Sequence, residues 1–219
     1  MSVTELIQSY GKDYLLAVLT TWKLTVVAFV AAFLLGCGIT VIRICPIPPL
    51  RWAGNLYVQV FRNIPGVSLL VIFVYALPYL DIVLSYYACV LAVTILIPAS
   101  FCSEYLLAGI NTIRPGEIEA AYAMGLRFNQ IARRIVIPQA IRSSVLPLTN
   151  LAIATLLTTS LASQVPLDPP DLTGIVTFIN SRSVGGVTAF VISALFYCLT
   201  ALVIARVGTI IDRKVRILR

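Results

Sequence analysis

The amino-acid sequence predicts an all-α integral membrane protein with five transmembrane helices. Of its 219 residues, 59% are hydrophobic and only 11% are charged, whereas a soluble domain carries roughly twice that charged fraction. A chain of this length can bury a core in water without such an excess of apolar residues, so the excess indicates a bilayer as the solvent. Five apolar segments, each near the ~20 residues that a helix needs to cross the hydrocarbon core, point to the same class.

The five predicted spans follow one another in a single domain, residues 1–219. The N-terminal residues lack the pattern of a cleaved signal peptide, so we expect the first span to be retained. The second span is the least regular, because Gln59, Arg62 and Pro65 occupy its first half. We expect it to begin at the interface and to enter the lipid near Val67. The spans are 14–42, 55–80, 82–109, 144–165 and 187–208, and residues 110–142 form a loop between the third and the fourth.

The distribution of lysine and arginine predicts the orientation. With the N-terminus outside, thirteen cationic residues fall on the inner side and two, Lys12 and Arg182, on the outer side, while Lys23 lies near the outer end of the first span. Because cytoplasmic loops carry the excess of Lys and Arg, we predict an external N-terminus, a cytoplasmic C-terminus and a cytoplasmic loop 110–142. The thirteen are Arg43, Arg51, Arg62, Arg114, Arg127, Arg133, Arg134, Arg142, Arg206, Arg213, Lys214, Arg216 and Arg219.

Composition also argues against several functions. The chain has no histidine, which removes the commonest general base and metal ligand, so we predict no catalytic residue and no metal site. Its five cysteines are scattered without a C-x-x-C pair and are interpreted as small buried apolar residues. The net charge of +7 is explained by basic loops beside a membrane. No basic run with interleaved aromatic residues predicts a nucleic-acid partner.

Loop 110–142 contains a predicted helix with recognisable ends. Pro115 suits a first helical turn, and Glu117 and Glu119 favour the positive end of the helix dipole. Gly125 suits the left-handed residue that commonly follows a helix. We therefore predict a short helix in the sequence NTIRPGEIEAAYAMGLRF.

A second helix of the loop is predicted to begin near Asn129, a good N-cap residue, and to be broken by Pro138. The residues alone leave two interpretations of the loop open. It is either a rigid peg for a groove in a partner protein, kept thin by the alanines of its first helix, or an interfacial loop that Arg133 and Arg134 hold against anionic lipid.

Three ordered motifs resemble the permease subunits of binding-protein-dependent ABC importers of the polar amino acid family. The loop has E-A-A, a glycine six residues after the glutamate, and I-x-x-P-Q-A, as in the E-A-A loop of these permeases. The upstream FRNIPGVSLLVIF is similar to their F-R-x-x-P segment, and LPLTNLAIATLLTTSLAS is similar to their L-P-x-x-N…T-S-L stretch. The motifs run from Phe61 to Ser163, and the predicted layout of helices extends the resemblance over nearly the whole chain, which implies a type I importer permease fold.

The resemblance implies a multi-pass protein of the bacterial cytoplasmic membrane that forms half of a translocation path. Two permease chains would rest on an ABC ATPase dimer, and an extracytoplasmic amino-acid-binding protein would deliver the substrate. A coupling helix would transmit ATP-driven closure. ATP and Mg would bind to the partner ATPase and no cofactor to this chain, whose only Gly-Lys pair, Gly11-Lys12, lacks the remainder of a phosphate loop. The residues implied in coupling are Glu119, Ala120, Ala121, Gly125 and Arg127.

The departures from the family pattern concern charges. Many permeases of this branch have E-x-x-R at the inner end of the third span, whereas Leu107 follows Glu104 here, and we expect solvent at the interface to satisfy the carboxylate. In the fourth span, leucines and Thr158 stand where many relatives have charged residues, which predicts a neutral pocket wall. Small hydroxyls there also fit simple helix packing. The candidate substrate path is Asn150, Leu151, Thr155, Thr158, Thr159 and Ser160.

Two hypotheses about the substrate follow. The substrate is a polar amino acid such as glutamate or glutamine, towards which AGINTIRPGEIEAA points because glutamate-type permeases have a similar GINTI sequence. Otherwise this chain is the half of a heterodimer that does not bind the substrate. We favour a heterodimer over a homodimer, because several polar positions are lost together. The alternatives are a permease for a cationic amino acid and, from another class, a passive channel, which would leave the cytoplasmic helix unexplained.

Overall fold

The computed structural model describes residues 2–182 and 185–215, and within these ranges it contains helices and turns but no strand. Arg216 and Arg219, which count toward the positive inner side, lie outside the described residues. Short π and 3-10 turns extend α3 to Leu80, and a 3-10 turn extends α8 to Gln164. The helices are α1 (Val3–Ile44), α2 (Pro48–Asn63), α3 (Gly66–Val71), α4 (Tyr86–Ile110), α5 (Pro115–Ala123), α6 (Phe128–Ile131), α7 (Ile137–Ser143), α8 (Val145–Thr158), α9 (Gly174–Arg182) and α10 (Gly186–Val215).

Among the described residues, four helical segments are long and apolar enough to cross a membrane, namely α1, α4, α10, and α8 with its extension. A fifth exists if α2 and Gly66–Leu80 are counted as one bent span. Helix α1 begins at Val3, earlier than the predicted residue 14. The reason is a capping box, in which the Ser2 N–H donates to Glu5 Oε2 (3.0 Å) and the Glu5 N–H donates to Ser2 Oγ (3.3 Å).

The second predicted span, 55–80, is interrupted. Helix α2 already begins at Pro48, and the backbone at Pro65 is extended (φ −61°, ψ 133°) before α3 begins at Gly66. Proline has no N–H for a helical hydrogen bond, and it disfavours the helical conformation of the residue before it. Helix α2 is therefore a separate helix of 16 residues.

The chain divides by its packing into two compact units, and the first comprises Met1–Val30, Ile64–Ile95 and Ala152–Ile204. Long-range hydrogen bonds anchor α1 inside this unit, among them one from the Trp22 indole to Thr200 Oγ1 (3.2 Å). The Tyr14 hydroxyl donates to the Ala189 carbonyl (2.9 Å), and the Leu172 N–H donates to Thr21 Oγ (3.0 Å). The core of the unit is formed by Leu6, Tyr14, Ala17, Val18, Leu172, Ile175, Ile179 and Ala189.

Asp171 holds the start of α9 in the first unit. Its Oδ1 accepts the Gly174 N–H (2.9 Å), and its Oδ2 accepts the Thr173 N–H (3.0 Å) and the Tyr197 hydroxyl (3.2 Å). The side chain lies between the spans and is completely buried. Burial raises the pKa of Asp171, while the hydrogen bonds from Thr173 and Gly174 oppose that rise. The carboxyl group is thus an N-cap that fixes the segment after α8.

The second unit comprises Ala31–Asn63, Leu96–Leu151 and Ala205–Arg219, and an ion pair joins α1 to α4 in it. Arg43 Nη2 lies 2.7 Å from Glu104 Oε1, and Arg62 Nη1 lies 3.4 Å from Glu104 Oε2. Arg43 also donates to Ser103 Oγ (3.0 Å) and to Asn55 Oδ1 (2.8 Å). The expectation that solvent satisfies Glu104 is wrong, because Arg43 on another helix supplies the charge that position 107 lacks.

Replacement of Arg43 by Met is expected to lower the thermal unfolding temperature of the detergent-solubilised protein. Only 8% of the Arg43 side chain and 29% of the Glu104 side chain are exposed, so Glu104 would lose its closest partner in a partly buried place. We expect a cost of about 2 kcal/mol, below the roughly 3–5 kcal/mol typical of a broken buried pair, because Arg62 stays close. The double variant Arg43→Met/Glu104→Gln should recover part of the loss, and Arg51→Met, at an exposed position, serves as the control. Equal losses in the single and double variants would contradict the pairing.

Candidate functional site in loop 110–142 and helix α8

The first helix of the loop, α5, has the ends that the sequence predicts. Pro115 lies in its first turn, and Gly125 has a φ of 78°, in the left-handed region. The Gly125 N–H donates to the Tyr122 carbonyl (2.9 Å). The Leu126 N–H donates to the Ala121 carbonyl (3.2 Å), which completes a Schellman motif. Both ends of α5 are confirmed.

The second helix of the loop begins earlier than expected. Its N-cap is Arg127, and Asn129 lies inside α6. The Arg127 N–H donates to Gln130 Oε1 (2.8 Å), so the side chain three residues later accepts a hydrogen bond from the backbone N–H at the start of the helix. The prediction of Asn129 as the N-cap is wrong, because the bond between the Arg127 N–H and the Gln130 side chain fixes the start of the helix two residues earlier.

Pro138 does not break the second helix as predicted. A π turn at Ala132–Val136 precedes it, closed by the bond from the Ile137 N–H to the Ala132 carbonyl, and helix α7 then continues to Ser143. In a regular α-helix, the proline ring clashes with the carbonyl four residues earlier. The wider π turn accommodates the ring, so the helical path from α6 to α7 continues.

The loop has its own small apolar core. Its fully or nearly buried members are Ile113, Ala121, Ile131 and Val136, with Ile44, Ile110, Ile118, Leu126 and Ile135 packed around them. Gln139 Nε2 also donates to Glu117 Oε2 (2.8 Å), which links α7 to α5. The loop is therefore a folded hairpin of helices. Ala121 belongs to its interior and does not contribute to a thin outer surface.

The outer surface of the hairpin contains two apolar residues that the sequence reasoning missed. Tyr122 is 52% exposed and Met124 is 72% exposed. Glu119, three residues before Tyr122, is exposed as well, while Ile118 and Ala121 face the core. The sequence offered no signal for this exposure, because Tyr122 is four residues after Ile118 and Met124 three residues after Ala121, spacings that would place both on the inward side. Of the residues implied in coupling, Glu119, Ala120, Gly125 and Arg127 are exposed.

The candidate path residues of α8 and its extension lie in different environments. Three hydroxyls bond to carbonyls of their own helix, namely those of Thr158 (to Ala154), Thr159 (to Leu156) and Ser160 (to Leu157), at 2.7, 2.6 and 2.7 Å. This is the packing role that small hydroxyls have in membrane helices. Asn150 is exposed, Thr158 and Ser160 are half-buried, and Leu151, Thr155 and Thr159 are buried.

The exposed positions of α8 follow a helical period. Leu146, Asn150, Ala154 and Leu157 are exposed, and their spacing of three or four residues places them along one side of the helix. Asn150 is the polar member of this row. Leu151 and Thr155 are buried and Thr158 is half-buried, so these three lie on another side of α8 than the exposed row.

The described part of the first unit contains several cavities, and two of them are large enough for a small molecule. One, of about 430 Å³, is lined by Ser160, Thr173, Ser193 and Tyr197 together with apolar side chains, and no charged side chain lines it. The other, of about 600 Å³, is formed by residues 162–181 and includes Gln164 and Asp168. Both have the size of small-molecule sites, and the first is a neutral cavity beside a predicted path residue.

Residues 47–217 match the family of binding-protein-dependent transport system inner membrane components. The chain belongs to this family. It is a multi-pass inner membrane protein and a permease subunit, and its resemblance to the amino acid permeases is confirmed. The family also accounts for the order of the motifs, since the match includes the E-A-A loop and both flanking segments.

Named relatives of this permease cover most of its length. It is 28% identical over 194 residues to the probable amino-acid ABC transporter permease protein YckA of Bacillus subtilis, with 89% of this chain and 85% of the relative covered. It is 30% identical over 199 residues to the glutamate transport system permease protein GluC of Corynebacterium efficiens, with 85% of each covered. Other relatives are named for glutamine, cystine and arginine.

The fold of the permease is also found in a solved structure. A crystal structure of an amino acid ABC transporter with histidines superposes with a TM-score of 0.87 at 22% identity, over 98% of this chain and 99% of that chain. The predicted class, an all-α importer permease, is confirmed. The external position of the N-terminus stays a prediction.

Replacement of Ala121 by Leu is expected to loosen the hairpin, because the Ala121 side chain is completely buried. Forcing extra methylene groups into a packed core costs roughly 1–3 kcal/mol. Hydrogen exchange of residues 115–136 should become faster. Ala123→Leu, on the exposed side of the same helix, is the matched control and should leave exchange unchanged. Equal protection in the two variants would contradict the placement of Ala121 in the core.

Proposed function

We propose that this permease forms half of the translocation path of an ATP-driven importer of polar amino acids, and that hairpin 110–142 couples it to a separate ATPase. The observation that carries the proposal is the exposure of Glu119, Tyr122 and Met124 on a hairpin with its own core. Large exposed apolar side chains beside a charge are typical of a surface that a partner covers.

The chemistry of Glu119, Tyr122 and Met124 defines the partner surface that would fit these side chains. Met124 and Tyr122 would occupy an apolar cleft, and a cationic group at its rim would face Glu119. The exposed Ala120 lets another backbone come close. The two exposed arginines of the π turn, Arg133 and Arg134, still favour the alternative in which the loop rests on anionic lipid. An acidic residue and a 72% exposed Met124 on the outer surface favour the protein partner.

The motor of such an importer would be another polypeptide. The 219 residues contain no complete phosphate loop, so ATP and Mg would bind to the partner ATPase. A binding protein outside the cell would deliver the amino acid. The chain itself would supply half of the translocation path and the hairpin that contacts the ATPase.

The substrate is proposed to be a polar amino acid such as glutamate or glutamine. The relatives named for glutamine and glutamate support this class, and the arginine relative keeps a cationic amino acid as the alternative. Within this chain, Asn150 on the exposed row of α8, the half-buried Thr158, and Ser160 beside the neutral cavity are the path residues that remain accessible. Because so few polar groups are accessible, we propose a heterodimer in which the other permease supplies most substrate contacts.

Glu119→Lys and Met124→Glu are expected to release the ATPase from the tagged permease while leaving membrane insertion intact. Glu119→Lys reverses a charge at the proposed contact, and Met124→Glu introduces one. The loss of an interfacial anchor costs about 2 kcal/mol or more, which lowers the affinity more than tenfold. The measurement is the amount of ATPase retained after purification in mild detergent. Asn129→Ser, at an exposed position of α6, is the control. Full retention in both variants would refute the coupling assignment.

The heterodimer is tested by expressing two differently tagged copies of this chain together with its genomic partners. We expect purification through one tag to recover a second, different permease and to leave the other tagged copy behind. Recovery of both tagged copies in one complex would mean a homodimer. The substrate contacts would then have to lie in this chain, with Asn150 and Ser160 as the first positions to alter.

A further inference from the structure

The neutral cavity of about 430 Å³ lies between α8 with its extension, α9 with the segment before it, and α10. Leu157 and Ser160 contribute the first wall, Thr173 the second and Tyr197 the third. Leu157 is also the last residue of the exposed row of α8, so the cavity lies next to the accessible side of that helix. Its volume is sufficient for the side chain of an amino acid.

The hydroxyl groups in the wall of this cavity use their protons within the protein. Ser160 Oγ donates to the Leu157 carbonyl (2.7 Å), and the Tyr197 hydroxyl donates to Asp171 Oδ2 (3.2 Å). Thr173 Oγ1 lies 3.3 Å from the Tyr197 hydroxyl oxygen. Because the Tyr197 proton is given to the carboxyl group of Asp171, Thr173 is the donor in this pair.

The polar part of the wall therefore accepts hydrogen bonds. A hydroxyl group has one proton and two lone pairs, so Ser160, Thr173 and Tyr197 have only lone pairs left for a ligand. The fourth hydroxyl of the lining, that of Ser193, has a buried oxygen and is not open to a ligand. The Cys198 thiol, which also lines the cavity, is only a weak donor.

The surroundings of the cavity disfavour a charged ligand. No charged side chain lines it, and the completely buried Asp171 lies behind Tyr197. A carboxylate here would bring acceptor atoms to a wall of acceptors, close to a second carboxyl group. An ammonium group would find acceptors, but it would leave water without a counter-ion in contact. An uncharged group with N–H donors meets both conditions.

We propose that this cavity receives the side-chain carboxamide of the transported amino acid, so that the permease accepts glutamine and rejects glutamate. The inference rests on the proposed function, and it chooses between the two substrates named there. Oxygens of Ser160, Thr173 or Tyr197 would accept the N–H bonds of the carboxamide. A site that is built to pair with such a group rejects an analogue that lacks it, because the polar groups of the site are then left unpaired.

Cys198 is a direct reporter, because it lines the cavity and is exposed. The full chain would be expressed with its genomic partners, and the native membranes would be treated with N-ethylmaleimide in the presence of glutamine, glutamate or arginine. Mass spectrometry measures the labelled fraction of Cys198. We expect glutamine to protect Cys198 at a concentration at least about tenfold lower than glutamate or arginine does. Labelling of the half-buried Cys37, outside the cavity lining, should not respond to glutamine.

Two variants test the role of the acceptors. Ser160→Ala removes one acceptor and should raise the protecting concentration of glutamine severalfold. Tyr197→Phe releases the Thr173 proton to the cavity, so the difference between glutamine and glutamate should shrink severalfold. Asp171 keeps its two backbone donors in this variant, so the start of α9 stays capped.

Ser181→Ala is the matched control for Ser160→Ala. The Ser181 hydroxyl also donates to a carbonyl of its own helix, that of Phe178 (2.8 Å), but Ser181 does not line this cavity. Protection by glutamine should be the same in this variant as in the unaltered chain.

Equal protection by glutamine and glutamate, stronger protection by glutamate or arginine, or protection by none of the three would overturn the assignment. Labelling of Cys198 only after the other polypeptides are removed would mean that a partner permease fills the cavity, and it would overturn the assignment as well. The ATPase that the tagged chain retains is measured in the same membranes. Protection by glutamine without a retained ATPase would count against the coupling proposal and leave the cavity assignment standing.

Discussion

A bilayer offers no partner to a charge, so an ionisable side chain near the end of a membrane span has to be satisfied by the protein or at the surface. Arg43 and Glu104 satisfy each other at 2.7 Å and join α1 to α4. Asn55 and Arg62 extend the contacts to α2. The helix that leads into loop 110–142 is thereby fixed close to the point where the loop begins.

The helical hairpin of loop 110–142 is held together by contacts among its own residues. Its core around Ala121, the left-handed Gly125 and the bond from Gln139 to Glu117 hold α5 against the helices that return to α8. A contact that transmits motion between two proteins has to move as one body, and a loop with its own core can do so. The same rigidity makes Met124 and Tyr122 fixed features of the outer surface, which suits the proposed contact with an ATPase.

Much of the loop could be predicted because its signals are local. Pro115 and Gly125 act through backbone conformation within one or two residues. Contacts between residues that are distant in sequence could not be predicted in this way. Glu104 was assigned to solvent because position 107 is a leucine, whereas its partner, Arg43, is 61 residues away. Ala121 was predicted to lie on the outer surface because the three residues E-A-A cover less than one helical turn. They therefore cannot show which alanine faces a core.

Contact between the exposed side chains of the hairpin and an ATPase can be measured with a photo-reactive amino acid at position 124. It would be introduced into the full chain in its native membranes, and the cross-linked product would be identified by mass spectrometry. We predict an adduct with a polypeptide that carries a phosphate loop. An adduct with lipid, or with no protein other than this chain, would contradict it.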